Sequence, residues 1–345
     1  MTRVAPVGAQ RRPPAGSPTL SPVTTSSTAP VAPAPPSGGR DGRAPRWARR
    51  IYLANLVAQM AIVVTGAIVR LTSSGLGCPT WPRCTGDSIT PVSDQVEQWH
   101  KYVEFGNRTL TGVLIVLALA AAVAAVVDGL QRTDAGLPAR PALTWLAMVP
   151  LIGTVAQIPL GGITVLTGLN PIAVGSHLLL SLAIVGLVTV LVTRAGEYGD
   201  QPVVTVVRRE VRLGVVALTW LMALVLVVGM LVTASGPHAG DERTRRLGLD
   251  PQTIAWLHAD VVVLCIGLLA GLLIAMRATQ APERTSRAAT HLLIAFLAQG
   301  LVGYVQFFTA EPWALVAVHV LIATVIWWAT VRLLLTTRTR GAAPA

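Results

Sequence analysis

The sequence predicts an all-α membrane protein, with eight transmembrane helices arranged as two parallel pseudo-symmetric four-helix bundles. Three observations carry that expectation. Hydrophobic residues fill 52% of the 345 positions and charged residues only 12%, with mean hydropathy +0.61; that balance belongs to chains dissolved in lipid. Uncharged apolar runs recur at about the 20 residues that a bilayer-crossing helix needs. A stretch of the first half of the chain also returns, without a gap, in the second half.

The uncharged runs are 51–69, 109–127, 141–193, 213–240, 261–276, 288–310 and 312–331. The third is too long for one helix and breaks at the turn sequence Gly168-Leu169-Asn170-Pro171, so it counts as two. The helix holding 261–276 has to begin near Thr253, which takes in His258 and Asp260. For the second helix, Asp94 followed by Glu97 predicts an N-cap with an acidic residue at N3, so that helix is expected to start before its apolar run and to enter the membrane near Tyr102. Backbone groups in lipid have no water to bond, which makes every span helical.

The net charge of +11 raises nucleic-acid binding, and the placement of the charge excludes it. With the first loop outside, the inner segments hold seventeen arginines: 40, 43, 46, 49, 50, 132, 140, 194, 208, 209, 212, 277, 284, 287, 332, 338 and 340. The outer segments hold seven basic residues, Arg70, Arg83, Lys101, Arg108, Arg243, Arg245 and Arg246. This asymmetry predicts a multi-pass cell-membrane protein, in contact with lipid, with both termini cytoplasmic. Residues 1–45 are rich in Pro, Ala, Ser and Thr without an apolar h-region, and read as a disordered cytoplasmic tail. The expected organisation continues as an N-terminal half at 46–196, a C-terminal half at 197–336 and a cytoplasmic tail at 337–345.

The repeat pairs Leu151-Ile152, Ala156-Gln157, Gly161, Thr167 and His177 with Leu293-Ile294, Ala298-Gln299, Gly303, Thr309 and His319, always 142 positions later. Helices three and four therefore match helices seven and eight. A weaker match relates Val64-Thr65-Gly66 to Val227-Val228-Gly229. Four helices per half return the chain to its starting side, so the halves run parallel, whereas inverted-repeat transporters need an odd number.

Of the six histidines, His177, His258 and His319 lie on helices four, six and eight. Each sits about 8–10 Å beyond the point where its helix enters from outside, at 1.5 Å per residue. His258 and His319 belong to one half and could face each other. Two opposed imidazoles on bundle helices are what bis-histidine heme ligation requires, and nearby helix N-termini favour the neutral, ligating form. The competing reading is hydrogen bonding between helices; three histidines at one depth favour ligation. Zinc fits less well, because no Cys, Asp or Glu cluster completes a tetrahedral set. His238, in an outer loop, and His291, at the inner start of helix seven, read as interface residues.

On helix two, His100, Glu104, Asn107 and Thr111 share one face. A carboxylate at that depth is costly unless it is paired or working; Arg108 at i+4 is its structural partner, and the polar stripe favours a lined cavity. Asp260 lies on a different face from His258. Arg70, Lys101 and Arg108 could neutralise anions such as heme propionates, and each alone reads better as a snorkelling interface residue. Cys78 and Cys84 bracket Pro-Thr-Trp-Pro-Arg in the first outer loop, where a close pair oxidises. A disulfide pinning that loop over the start of helix two is expected, and Cys265 reads as packing.

The segment from Gly66 through Arg70-Leu71-Thr72-Ser73-Ser74-Gly75-Leu76-Gly77-Cys78-Pro79-Thr80-Trp81-Pro82-Arg83-Cys84 resembles the first helix and outer loop of the heme A synthase family. Glu104-Phe105-Gly106-Asn107-Arg108 resembles that family's E-x-x-H-R motif, and His177, His258 and His319 fall where it has histidines; the resemblance covers about 47–336. It implies an eight-helix fold of two halves, and oxidation of the C8 methyl of heme O to the formyl of heme A with oxygen from water. It implies that His258 and His319 hold a resident heme b in the C-terminal half. The N-terminal half would receive heme O, with His177 as a ligand, Glu104 as the acid beside the methyl, and His100, Asn107 and Arg108 around it. Heme O synthase and the assembling cytochrome oxidase enter as partners on the same ground, and a homo-oligomer is compatible with the sequence. Two departures stand out. Asn107 replaces the motif's histidine, and His100, seven residues earlier and so about 10 Å away along a helix, is too far for a simple exchange; five-coordinate iron is one outcome. The loop after helix five also lacks the second cysteine pair that bacterial members often carry. Two other readings compete: a di-heme b-type electron carrier, which has no use for Glu104 facing a cavity, and a parallel-repeat transporter with histidine proton relays.

Overall fold

The computed structural model describes residues 42–340, apart from positions 198, 201, 239, 242 and 243. The expected tail segment 1–41, the last residues 341–345 and Arg243 lie outside the described residues. Among the described residues there are eight helices: α1 Arg46–Leu71, α2 His100–Asp134, α3 Pro141–Leu166, α4 Pro171–Ala195, α5 Arg209–Ser235, α6 Pro251–Ala278, α7 Glu283–Phe308 and α8 Trp313–Thr336. All eight are long and apolar enough to cross a bilayer, which makes the chain an all-α membrane protein.

The helix ends follow from their residues. Pro141, Pro171 and Pro251 each open a helix, where the missing N–H has no intrahelical partner to lose. The Asn170 side chain accepts from the N–H groups of Ile172 and Ala173, and Asp250 accepts from that of Thr253, capping α4 and α6. The predicted break between α3 and α4 is present, with Gly168 and Leu169 both left-handed at φ 62° and 60°.

The start of α2 differs from expectation. Asp94 is not its N-cap; the helix begins at His100, after turns. Gln98 adopts φ 47°, which interrupts a helix. The Gln95 side chain is turned into the first loop, where it bonds the Val92 N–H at 2.9 Å and the Gly77 carbonyl at 3.3 Å. Tertiary bonds thus outcompete the local capping pattern. Two short strands were also not foreseen: β1 Val203–Thr205 pairs antiparallel with β2 Arg338–Arg340, Val203 opposite Arg340. Part of the expected C-terminal tail is therefore tied to the α4–α5 linker.

Helices α1 to α4 pack around one another, as do α5 to α8, and the two groups meet through α1, α4, α5 and α8. Trp327 of α8 donates to the Leu182 carbonyl of α4 at 2.8 Å across that junction. The second group has a conventional apolar core that includes Leu218, Met222, Leu269 and Phe296. The first packs alanines (Ala48, Ala121, Ala124, Ala125 and Ala147) around Tyr52. Trp145, Trp220 and Ile274 are among the large apolar side chains on the outside, where lipid solvates them.

Alternating helices place the α1–α2, α3–α4, α5–α6 and α7–α8 connections on one face. There Gly75 donates to the Gly240 carbonyl at 3.0 Å and the His238 ring bonds the Glu311 carbonyl at 2.8 Å. The opposite, terminal face holds a charged network: Glu197 pairs with Arg194, Arg338 and Arg340, and Arg140 donates to the Arg194 carbonyl at 2.6 Å. Desolvation lowers the Arg140 pKa from its ordinary value, opposed by the nearby Asp200 and Asp128 carboxylates.

Candidate functional site

Two cavities open within the helix groups, near the loop face. One, of about 490 Å³, lies among α1 to α4 and is lined by Glu104, Asn107, Arg108 and His177, together with Trp81 and Gly161. The other, of about 280 Å³, lies among α5 to α8 and is lined by His258, His319, Gly229 and Gly303. Ligand pockets fall at about 300–1,000 Å³; the first lies within that range and the second just below it.

Each of the three histidines lies against a glycine of the preceding helix. A Cβ added at Gly161 would stand 3.4 Å from His177 Cε1, one at Gly229 3.0 Å from His258 Cε1, and one at Gly303 3.4 Å from His319 Cε1. The missing side chain lets the imidazole edge rest on the neighbouring backbone, which fixes the ring plane. Gln157 Nε2 donates to the His177 carbonyl and Gln299 Nε2 to the His319 carbonyl, both at 2.9 Å. These contacts fall on the 142-residue repeat, where Gly161, Gly303, Gln157 and Gln299 were legible as repeated residues but not as supports for the histidines.

The His258 and His319 ring centroids are 6.4 Å apart with planes inclined at 50°. Metal–imidazole bonds are about 2 Å long, so two imidazoles on opposite sides of one iron have centroids about 6 Å apart. The centroid spacing of the pair therefore matches that of two imidazoles sharing one iron. Nδ1 of His177 and of His319 is buried without a hydrogen-bond partner.

The fourth neighbouring helix pair departs from this arrangement. Asn107 of α2 stands beside α1, its Oδ1 accepting from Thr65 Oγ1 at 2.8 Å, and nothing lies within 4 Å of a Cβ built on Gly66. From its helices the first cavity thus offers one imidazole, His177, with a carboxamide and open space on the α1–α2 side. His100 is not brought in. Its Nδ1 bonds Ser74 Oγ at 2.9 Å and its ring stacks on Trp99 at 3.9 Å, and it does not line the cavity.

Glu104 is buried and bonded through both oxygens: Oε2 accepts from the Cys78 N–H at 2.7 Å, and Oε1 from Arg108 Nη2 at 2.6 Å and Nε at 3.1 Å. Arg108 also donates to the carbonyls of Cys78 and Thr80 at 2.8 and 3.1 Å. The structural pairing and the cavity-lining reading of Glu104 thus hold together. The expected Cys78–Cys84 disulfide is present, with both cysteines fully buried. It ties off the loop that supplies the Glu104 donor and inserts Trp81 against Gly162 of α3, a contact no sequence pattern announced. Lys101 is spent on the carbonyls of Val92 and Ser93 at 2.6 and 3.1 Å.

Arg70 does more than snorkel, donating to the His238 carbonyl at 2.6 Å and the Thr233 carbonyl at 2.5 Å. His238, set aside from sequence, lines the first cavity and so helps to roof it. Asp260 and His291 are exposed, and Cys265 is buried in the second group's core.

Residues 49–331 match the family model described as cytochrome oxidase assembly protein, COX15-CtaA. The chain belongs to this family. Among curated relatives, a heme A synthase of Geobacillus kaustophilus is 30% identical over 142 residues, 41% of each chain. A heme A synthase of Shewanella oneidensis is 30% identical over 161 residues, 43% of this chain and 44% of that one. A third, from Lysinibacillus sphaericus, is 30% identical over 191 residues, 54% and 58% respectively. The chain thus matches between about two fifths and three fifths of the length of these relatives.

Proposed function

We propose that this chain is a heme A synthase, a membrane oxidoreductase that converts the C8 methyl of heme O into the formyl group of heme A for terminal oxidases. The observation that carries the reading is the inequality of the two cavities within one family fold. The second has an opposed imidazole pair suited to a fixed cofactor; the first has one helix-borne imidazole, His177, beside a buried carboxylate, with His238 in its loop roof and held to the Glu311 carbonyl, an arrangement suited to a substrate that enters and leaves.

In this reading residues 46–196 form the substrate half and 197–336 the resident-heme half, related as pseudo-symmetric repeats. His258 and His319 hold a heme b, which when bound supplies one-electron redox chemistry. Overall, the methyl and one water give the formyl, four protons and four electrons, the electrons passing to one-electron acceptors. His177 orients heme O. Glu104, fixed by Arg108 and the Cys78 amide, keeps a negative charge next to the reacting methyl, stabilising positive charge that develops there or taking its proton. The disulfide-bounded loop and Trp81 limit bulk water. The arginine asymmetry supports cytoplasmic termini and heme sites toward the outer face; heme O synthase and the assembling oxidase are the proposed partners.

The test is expression with a heme O source, followed by mass identification of extracted hemes. Heme A formed by the wild type and lost in Glu104→Gln supports the reading; formyl heme at the normal rate from Glu104→Gln overturns the role of Glu104.

A further inference from the structure

The first helix group contains a buried polar column that its counterpart lacks. On α1, Tyr52 and Asn55 are 0% exposed and Gln59 3%, and Thr154 of α3 is also 3% exposed. Shifted by the same 163 positions that relate Gly66 to Gly229, the three α1 residues become Val215, Leu218 and Met222 of α5. Shifted by 142, Thr154 becomes Phe296 of α7. These four counterparts are equally buried, and all belong to the apolar core. At matched positions, therefore, one group is dry and the other polar.

Several atoms of the column have no partner. Both Asn55 amide atoms and the Tyr52 hydroxyl are buried without a hydrogen bond. Buried polar groups left unpaired are costly and rare, and in native proteins ordered water usually satisfies them. The column also has two ends. Gln59 Nε2 donates to Thr154 Oγ1 at 3.1 Å, and Gln59, Thr154 and Gln157 line the 490 Å³ cavity. Seven residues from Gln59 to Tyr52 span about 10 Å along α1. Beyond Tyr52, Asp128 and Arg140 act on it electrostatically, and Arg140 belongs to the charged network of the terminal face.

We propose that Tyr52, Asn55, Gln59 and Thr154 hold a file of internal water molecules that joins the first cavity to the terminal face and carries water and protons. The amides and hydroxyls anchor the waters, and protons pass between the waters themselves. The role of the file in turnover rests on the function proposed above: methyl oxidation consumes one water and releases four protons, in a cavity whose other side is roofed by the loop face. The water sites do not depend on that function.

The test uses the full-length protein as wild type, Asn55→Leu and Tyr52→Phe. Asn55→Leu installs the residue that the second group uses, and removes an unpaired amide, so it is expected to fold and to bind heme as the wild type does. A structure resolving water should show it within hydrogen-bond distance of the Asn55 amide and the Tyr52 hydroxyl. Formyl-heme formation by Asn55→Leu should fall by about tenfold or more, with a larger solvent isotope effect, while heme content stays constant. Tyr52→Phe should fall in the same direction. A dry Asn55 site, or wild-type conversion by Asn55→Leu, overturns the file while leaving the heme A synthase reading intact. Ordered water at these sites in a protein that makes no formyl heme supports the water sites and sinks the synthase reading instead.

Discussion

Glu104 and Arg108, one helical turn apart on α2, are joined at 2.6 Å, and together they clamp the disulfide-bounded loop to the mouth of the first cavity. On the function proposed above, the pair sits where substrate chemistry needs a fixed charge; removing either member strands the other in a poorly solvated site. Glu104→Gln keeps the shape and the Cys78 contact while removing the charge. Heme binding should persist, and conversion should drop on the order of 10²-fold or more, as read by heme extraction and mass analysis.

The same loop depends on Cys78–Cys84. Replacing both by serine should lower the stability of the folded protein by about 2 kcal/mol for so short a closed loop, measured as a drop in thermal unfolding temperature. Because the Cys78 N–H bonds Glu104, conversion should fall further than heme content does. Equal losses in both would mean that the loop is only a fold element.

The glycines facing the imidazoles give a sharper structural test. A Cβ at Gly229 would lie 3.0 Å from His258 Cε1, so Gly229→Val should force the ring aside at a cost of about 1–3 kcal/mol. The low-spin bis-histidine spectrum should weaken while the first cavity keeps its heme. An unchanged spectrum would remove His258 from the ligand set.

Asn107 separates the two sites spectroscopically. With His177 as the only helix-borne imidazole among the described residues of the first cavity, and the His238 ring held by the Glu311 carbonyl, heme bound there should be high-spin and should take up carbon monoxide when reduced. Asn107→His, which has the open space beside Gly66 to enter, should convert that component to low-spin and suppress carbon monoxide binding. A wild-type protein already fully low-spin would show that another residue completes the site.

The residues explain which parts of this were legible in advance. Apolar run length and the Gly168–Pro171 turn gave the eight helices, because lipid permits one backbone solution. The histidines on α4, α6 and α8 stood out because a polar ring in a span demands a reason. The start of α2 departs from the local capping pattern because Gln95 bonds the first loop, a tertiary choice that no local pattern encodes. The positions of Trp81, Arg70 and His238 depend on contacts between distant loops, such as Arg70 with the His238 carbonyl. His100 shares a face with Glu104 yet points to Ser74; periodicity assigns a helix face but not the partner that claims it. The Tyr52–Gln59 column needed burial and unpaired atoms to be seen, since its residues look ordinary in sequence.

The most direct measurement of the central claim is the absorption spectrum of the purified full-length protein together with the masses of its extracted hemes. Heme b accompanied by heme O or heme A is the predicted result. Heme b alone would indicate an electron carrier, and a protein without heme would contradict the account altogether.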